Sequence, residues 1–348
     1  MTGFAFAIPG DLDLPTGGYA YDRRVMAECR ALGCEVTPLA LPDGFPSPTP
    51  ETLTTSARLL QALPSGQPVL IDGLAFGVLP SAMLAGLGRP LAALVHHPLA
   101  LETGLDADRQ ARLRASERAA LSHAEAVIVT SPMTARILAA DYAVDLAKLV
   151  VALPGVEPAA RARGTVTPPR LLAVGSIIPR KAYDVLVAAL APLRERDWRC
   201  HIVGADDRDP EAAKGLRAQI AAAGLEGRIV LTGAISGTAL EAEYDAADLF
   251  VCASLFEGYG MVLTEAVARG LPVVATRAGA IPETVPAGAA RLVPPGDAGA
   301  LSATIALLLE QPPLRRALAD KAWGQAALLP RWSQTAGVIA ATMGSLAA

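Results

Sequence analysis

One stretch constrains the architecture of this chain more tightly than any other: Ser254-Leu-Phe-Glu-Gly-Tyr-Gly-Met-Val-Leu-Thr-Glu-Ala-Val-Ala-Arg-Gly-Leu-Pro-Val-Val-Ala-Thr276. It reads as strand end, glycine loop, helix, glycine stop and strand. Phe250-Val251-Cys252 closes the apolar run before it. Gly258-Tyr259-Gly260 follows, and glycine there permits a positive φ and the close approach of a ligand to the backbone. Met261 to Arg269 is helix-forming, with Arg269 suited to the negative end of the dipole and Gly270 to the C′ stop. Pro272 blocks continuation, and Val273-Val274-Ala275 predicts a buried strand. A helix that begins just after a glycine loop offers free N–H groups to an anion such as a phosphate. Two carboxylates, Glu257 and Glu265, flank the same loop. Acceptor groups beside an anion site suit a ligand that carries hydroxyls as well as phosphates, and a nucleotide sugar is such a ligand.

The same alternation runs through the rest of the chain. In the first half, strands are predicted at Phe4–Ile8, Cys34–Thr37, Pro68–Asp72, Leu91–Val95, Ala126–Thr130 and Leu149–Leu153. Helices are predicted at Tyr21–Leu32, Thr52–Leu63, Leu79–Leu87, Asp106–Ser122 and from Pro132 to about Asp141, with Ser131 as N-cap. From Gly155 to Pro169 the composition shifts to Pro, Ala, Arg, Gly and Thr, which predicts a linker. Beyond it come strands at Arg170–Val174, Cys200–Val203, Ile229–Thr232 and Leu249–Ala253, with helices at Asp184–Arg196, Glu211–Ala223 and Thr238–Ala246. After the opening stretch, Leu292-Val293 precedes helices at Ala298–Glu310, Leu314–Leu328 and Arg331–Leu346. Strands alternating with helices imply parallel doubly wound sheets, one per half, with ligands outside the carboxyl ends of the strands.

Composition excludes several classes. The 348 residues suffice for two domains of ordinary size, and 52% hydrophobic residues argue against disorder. A formal charge of −4 does not suggest a nucleic-acid partner. Cys29, Cys34, Cys200 and Cys252 form no CxxC pair and fit a reducing cytoplasm. The amino terminus lacks a basic segment before its apolar run, so it reads as a strand and not as a signal peptide. No apolar run reaches the ~20 residues of a membrane-spanning helix. No GxGxxG fingerprint occurs, which disfavours a nicotinamide cofactor.

The chemistry-bearing motifs converge on one family. Ser254 to Ala266, then Gly270-Leu-Pro-Val-Val-Ala-Thr276, then Gly279-Ala-Ile-Pro-Glu283 resemble the signature of glycosyltransferase family 4. The resemblance implies the α/β GT-B fold: two Rossmann-like doubly wound parallel-sheet domains facing across a cleft. It implies a retaining enzyme that takes a nucleotide-diphosphate sugar and moves a hexosyl group to an acceptor hydroxyl of a glycan, lipid or small molecule. In that frame Glu257 serves the donor sugar and Glu265 the ribose. The backbone N–H groups of Gly258, Tyr259 and Gly260 meet sugar hydroxyls, and those of Met261 and Val262 meet the diphosphate. Leu172-Ala-Val-Gly175-Ser-Ile-Ile-Pro-Arg180-Lys181 resembles the family's diphosphate-holding loop, with Lys181 at the lysine position. Ser176 stands where the family has an arginine. Either Arg180 supplies the missing guanidinium or diphosphate binding depends on fewer cations. Fixed cations there would stabilise the charge that a departing diphosphate accumulates.

Leu94-Val95-His96-His97-Pro98 matches the family's strand-end histidine that contacts the donor sugar. His96 fits best, while alternation along the strand leaves His97 as the other candidate. No Cys, Asp or Glu at ligand spacing accompanies the pair, so a metal is not expected there. Thr16-Gly17-Gly18-Tyr19 resembles the amino-terminal glycine loop, near the diphosphate or acceptor. Asp206-Asp207-Arg-Asp209 reads as a solvated loop, so the donor is expected to bind without metal or cofactor. Arg109, Arg112, Arg114 and Arg118 on one helix read as a solvated face, with an anionic membrane surface or a phosphorylated acceptor as the alternative. The expected organisation is an acceptor-side domain over residues 1–158, a donor domain over 159–330 and a terminal helix over 331–348, for which a return to the first domain is open. A nucleotide-sugar epimerase of the same fold and a non-catalytic nucleotide-sugar binder stand as alternative functions.

Overall fold

The computed structural model of the protein describes residues 3–164 and 167–347. Thr165 and Val166 of the expected linker lie outside the described residues, as do Met1 and Thr2 of the amino-terminal segment. The chain divides into two compact units: Met1–Gly155 with Pro330–Ala348, and Val156–Leu329.

The first unit starts with β1 (Phe4–Pro9), α1 (Gly17–Ala31), β2 (Val36–Leu41) and α2 (Pro50–Gln61). It continues with β3 (Val69–Asp72), α3 (Gly73–Phe76), α4 (Ser81–Ala85) and β4 (Leu91–Val95). Then come α5 (Ala107–Leu121), β5 (Ala126–Val129), α6 (Pro132–Tyr142) and β6 (Leu149–Val151). Among the described residues these strands make a six-stranded parallel sheet in the order β2-β1-β3-β4-β5-β6. Every residue of β3, β4 and β5 is buried, as parallel strands covered on both faces require. β2 lies at an edge, where Pro38 costs no ladder bond that a central strand would need. The strand order reverses between β1 and β3. In open α/β sheets that reversal opens a crevice at the carboxyl ends of the strands.

The second unit holds β7 (Arg170–Val174), α7 (Tyr183–Leu190), β8 (Arg199–Val203), α8 (Pro210–Ala222), β9 (Ile229–Gly233) and α9 (Gly237–Asp245). Next are β10 (Leu249–Cys252), α10 (Met261–Ala268), β11 (Val273–Thr276) and α11 (Ile281–Thr284). β12 (Ala290–Val293), α12 (Ala298–Glu310) and α13 (Pro312–Gln325) complete it. The sheet order is β12-β11-β10-β7-β8-β9, and all neighbours are parallel. Counted within the unit this is the dinucleotide-fold order, and the reversal falls between β7 and β10. The last helix, α14 (Trp332–Leu346), belongs to the first unit and packs on α1. The Thr335 hydroxyl donates to the Leu153 carbonyl at 2.6 Å. A Cβ on Gly155 would stand 2.2 Å from the Trp332 nitrogen, so only glycine admits the helix there.

Four sequence expectations are corrected. Helix α1 begins at Gly17 and not at Tyr21, because the Thr16 hydroxyl caps it by accepting the Tyr19 N–H at 3.3 Å. The predicted helix Leu79–Leu87 is shorter, at Ser81–Ala85, with the separate turn α3 before it; Pro80 has no N–H to continue a helix through. The helix predicted from Asp184 to Arg196 ends at Leu190 and tightens into a 3₁₀ turn at Pro192. The turn of helix at Ile281–Thr284 was missed, being a single turn.

Candidate active site

Both switch points carry charged clusters. In the second unit the loop after β10 carries Glu257, and the loop after β7 carries Arg180 and Lys181. Lys181 Nζ donates to Glu257 Oε1 at 2.6 Å, and Arg180 Nη1 lies 3.3 Å from Oε2. Arg180 Nη1 also donates to the Phe256 carbonyl at 3.0 Å. The Ser254 hydroxyl donates to Glu257 Oε1 at 2.7 Å, and Thr276 Oγ1 donates to the Ser254 carbonyl at 2.5 Å. Glu257 is only 6% exposed. Burial by itself would raise its pKa, but the Lys181 and Arg180 charges and the Lys181 and Ser254 hydrogen bonds outweigh it, so the carboxyl is held at about 2.

The backbone around this cluster is tight. A Cβ on Gly279 would meet the Glu257 carbonyl oxygen at 2.3 Å, and the Ala280 N–H donates to that oxygen at 2.9 Å. Lys181 passes over Gly175, where a Cβ would stand 2.8 Å from Cε. Ala182 follows in the left-handed region at φ 49°, which costs a non-glycine residue roughly 1–2 kcal/mol. Strain therefore sits beside the two cations, where functional sites commonly store it.

Helix α10 starts at Gly260, whose φ is 91°, and no side chain caps it. Of the two loop glycines, Gly260 has the positive φ. Met261 and Val262 form the uncapped first turn. Tyr259 is buried, and its carbonyl accepts the Thr284 hydroxyl at 2.7 Å. One turn on, Glu265 Oε2 accepts the Tyr244 hydroxyl at 2.7 Å. Arg269 lies 4.6 Å from the Tyr244 ring centroid and donates to the Glu265 carbonyl at 3.2 Å. One carboxylate oxygen of Glu265 is thus fixed by a buried tyrosine. Ser176, the position of the absent arginine, is part of the β7 loop between Gly175 and the Arg180–Lys181 turn.

In the first unit His96 follows β4. Its Nε2 lies 3.2 Å from Asp22 Oδ1 and 3.4 Å from Asp72 Oδ2. The His96 ring meets the Tyr21 ring edge-on at 5.3 Å, and Thr130 Oγ1 donates to its carbonyl at 3.1 Å. Gly18 leaves room for the ring, since a Cβ there would meet His96 Cδ2 at 3.3 Å. Gly17 is the first residue of α1. His97 turns elsewhere, its Nε2 3.4 Å from Glu102 Oε2. The sequence expectation that no acids accompany the histidines is corrected: Asp22 and Asp72 are distant in sequence, and the sheet order brings β3 and α1 to β4. Asp22, Asp72 and His96 offer polar atoms within 4.8 Å of one another, and Nε2 is already turned on both acids.

With this geometry the comparisons with known proteins are specific. Residues 159–324 match the family described as glycosyl transferases group 1, and residues 11–155 match the glycosyl transferase 4-like domain. The chain is 31% identical over 310 residues to an MMP α-(1→4)-mannosyltransferase of Mycolicibacterium hassiacum, covering 84% of this chain and 74% of that relative. The chain belongs to the group 1 glycosyl transferases. Another relative of this glycosyltransferase, a D-inositol 3-phosphate glycosyltransferase of Actinosynnema mirum, is 36% identical over 236 residues, 60% of this chain and 55% of that protein. The chain spans about half the length of that relative. Among solved structures, sucrose-phosphate synthase from Thermosynechococcus elongatus superposes with a TM-score of 0.81 at 22% identity, over 99% of this chain and 98% of the other. Anabaena HepE in complex with UDP-glucose gives 0.79 at 18% identity, over 98% and 99%. At such identity the likeness is one of fold, and the fold is GT-B.

Asp22, Asp72, Ser254 and Tyr244 are the site residues that sequence reasoning passed over. Asp72 carried a signal, as a carboxylate at the end of an otherwise apolar strand. Among the described residues no helix is long and apolar enough to cross a membrane. Arg112, Arg114 and Arg118 of α5 are exposed, and Arg109 donates to the Ser47 hydroxyl.

Proposed function

We propose that this cytoplasmic glycosyltransferase binds a nucleotide-diphosphate sugar on its second unit and transfers the hexosyl group, with retention, to an acceptor hydroxyl. The observation that carries the reading is Glu257, buried and ionised between Lys181 and Arg180 at the β7/β10 switch point. A fixed carboxylate accepts hydrogen bonds from sugar hydroxyls. Lys181, Arg180 and the uncapped first turn of α10 at Met261 and Val262 meet the diphosphate, without a metal ion. The backbone N–H groups of Gly258, Tyr259 and Gly260 hold sugar oxygens, and Glu265, oriented by Tyr244, receives the ribose diol. The UDP-glucose bound to HepE and the mannosyl and inositol-phosphate chemistry in the names of the relatives support a nucleotide-sugar donor and a hydroxyl acceptor.

The test is a thermal-shift and calorimetry screen of UDP, GDP and their glucose and mannose conjugates, with EDTA present. Donor hydrolysis or transfer follows, and the anomeric configuration of the product is read by proton NMR. A donor that binds and turns over, with activity lost in Glu257→Gln, supports the reading. Absence of binding by every nucleoside diphosphate and nucleotide sugar overturns it.

A further inference from the structure

The His96 cluster of the first unit contains more acid than the histidine needs for orientation alone. Asp22 is fully buried and Asp72 is 3% exposed. Asp72 Oδ1 accepts the Leu74 N–H at 2.8 Å, which leaves Oδ2 for the histidine. Asp22 Oδ1 faces the same Nε2, and Asp22 Oδ2 is buried without a partner. An ionised carboxylate only accepts hydrogen bonds, so Nε2 must carry the proton toward both acids. Arg23 is the other cation whose charge reaches Asp22, but among the described residues no hydrogen bond or ion pair shown joins it to either acid. Arg23 spends its guanidinium on the Leu12 and Leu14 carbonyls, and Arg24 pairs with Glu28 at 3.1 Å. Tyr21 donates its hydroxyl to the Ala152 carbonyl at 2.9 Å. Beside a neutral ring the two buried carboxylates would have no directly paired counter-charge, whereas a ring protonated on both nitrogens supplies one.

We propose that Asp22 and Asp72 are positioning residues that keep His96 an imidazolium, so that the histidine serves glycosyl transfer as a charged hydrogen-bond donor through Nδ1 and not as a base. This rests on the transferase reading for its purpose, not for its geometry. The side chain keeps 22% exposure, and among the described residues no hydrogen bond shown uses Nδ1. The remaining N–H is thus available to an oxygen of a bound substrate, a phosphate or hydroxyl oxygen by chemistry. Electrostatics agree with the geometry. Burial by itself would lower the His96 pKa, but the charges and hydrogen bonds of Asp22 and Asp72 carry it up to about 10. Burial raises Asp22 to about 6 against the pull of His96. With His96 raised and Asp22 still below it, the charged ring facing ionised Asp22 persists over a window around neutral pH. A ring already protonated cannot accept the acceptor's proton in that window.

The experiment uses the ¹⁵N-labelled full chain, in which four histidines give four imidazole spin systems. Single His97→Gln, His123→Gln and His201→Gln variants assign His96 by elimination. The wild type is expected to show both His96 nitrogens protonated from pH 6.5 to 9. Asp72→Asn and Asp22→Asn should each lower the midpoint by about one unit or more, as removal of a nearby opposite charge does. In transfer assays the alkaline limb of kcat should move to lower pH in Asp72→Asn, a shift that loss of packing alone would not produce. A wild-type His96 midpoint near the ordinary ~6.5 overturns the proposal without any variant. So does saturable broadening of the His96 signals by substoichiometric Mn²⁺ in metal-stripped protein, which would show the acids serving a cation instead. If no nucleotide sugar binds but His96 stays charged, the transferase reading fails and the acid–histidine geometry stands. If transfer occurs with a neutral His96, only this proposal fails.

Discussion

Replacing Glu257 by glutamine removes one negative charge from the side chain on which two cations converge, and the structure sets how much that should matter. The Glu257 carboxyl sits at about 2 instead of 4.5. That difference corresponds to roughly 3 kcal/mol of stabilisation of the folded state above the unfolded pKa. All three partners are less than a fifth exposed, so solvent screening does not reduce the figure to the ~1 kcal/mol of a surface pair. Because the folded pKa is depressed, the contribution is present above pH 4.5 and is lost as pH falls toward about 2. Urea denaturation of wild type and Glu257→Gln should therefore differ by about 3 kcal/mol at pH 7, with the gap constant down to pH 5 and narrowing below it. Hydrogen exchange at α10 assigns the loss to the second unit. Carbon-13 titration of the Glu257 carboxyl checks the premise directly. A carboxyl that titrates above pH 4, or a glutamine variant as stable as wild type at pH 7, refutes the argument that the three charges form a buried network.

Two further substitutions test the supporting structure. Gly279→Ala forces a Cβ against the Glu257 carbonyl at a φ of 55°, and should cost about 2–4 kcal/mol in urea denaturation while weakening transfer. Gly227→Ala is the control, since no atom lies within 4 Å of its added Cβ. Tyr244→Phe removes the donor that fixes Glu265 Oε2 and should weaken nucleoside-diphosphate binding about tenfold, the scale of a hydrogen bond to a charged group. The loss should be smaller for 2′-deoxy nucleotides, as calorimetry with UDP and dUDP would show; an equal loss for both would mean that Tyr244 acts on packing alone.

The sheets were legible because their signals are local. Val69–Asp72, Ala126–Val129 and Val273–Thr276 are short apolar runs bounded by turns, and buried parallel strands carry that pattern. The Gly260 start of α10 was legible for the same reason, whereas Arg180 and Lys181 stood out only through the resemblance of their loop to that of the family. Boundaries failed where a hydroxyl cap outweighed glycine's low helix propensity, as at Thr16 and Gly17. The partners of the site residues were not legible. Asp22 is 74 residues from His96, and Tyr244 is 21 from Glu265. Nothing in helix or strand periodicity pairs them. Only the sheet order, which reverses beside β1 and beside β7, places them together.

The Ser176 departure gains a physical meaning from this placement. With serine in the arginine position, Arg180 and Lys181 are the cations on Glu257 shown in the β7 loop, and Arg180 also holds the Phe256 carbonyl. Two cations against one carboxylate leave a single surplus positive charge. On the proposed reading, an incoming diphosphate would share both cations with Glu257 instead of meeting a free guanidinium. Its arrival would weaken the hold that keeps the Glu257 carboxyl at about 2, and the expected outcome is a linkage between ligand binding and the Glu257 proton, read as proton uptake in calorimetry at low pH. The hydrogen bonds of Arg180 and Lys181 to the Phe256 carbonyl and the Glu257 carboxylate hold the turn in place, and the left-handed Ala182 is strain that these contacts outweigh, so the two cations stay preorganised.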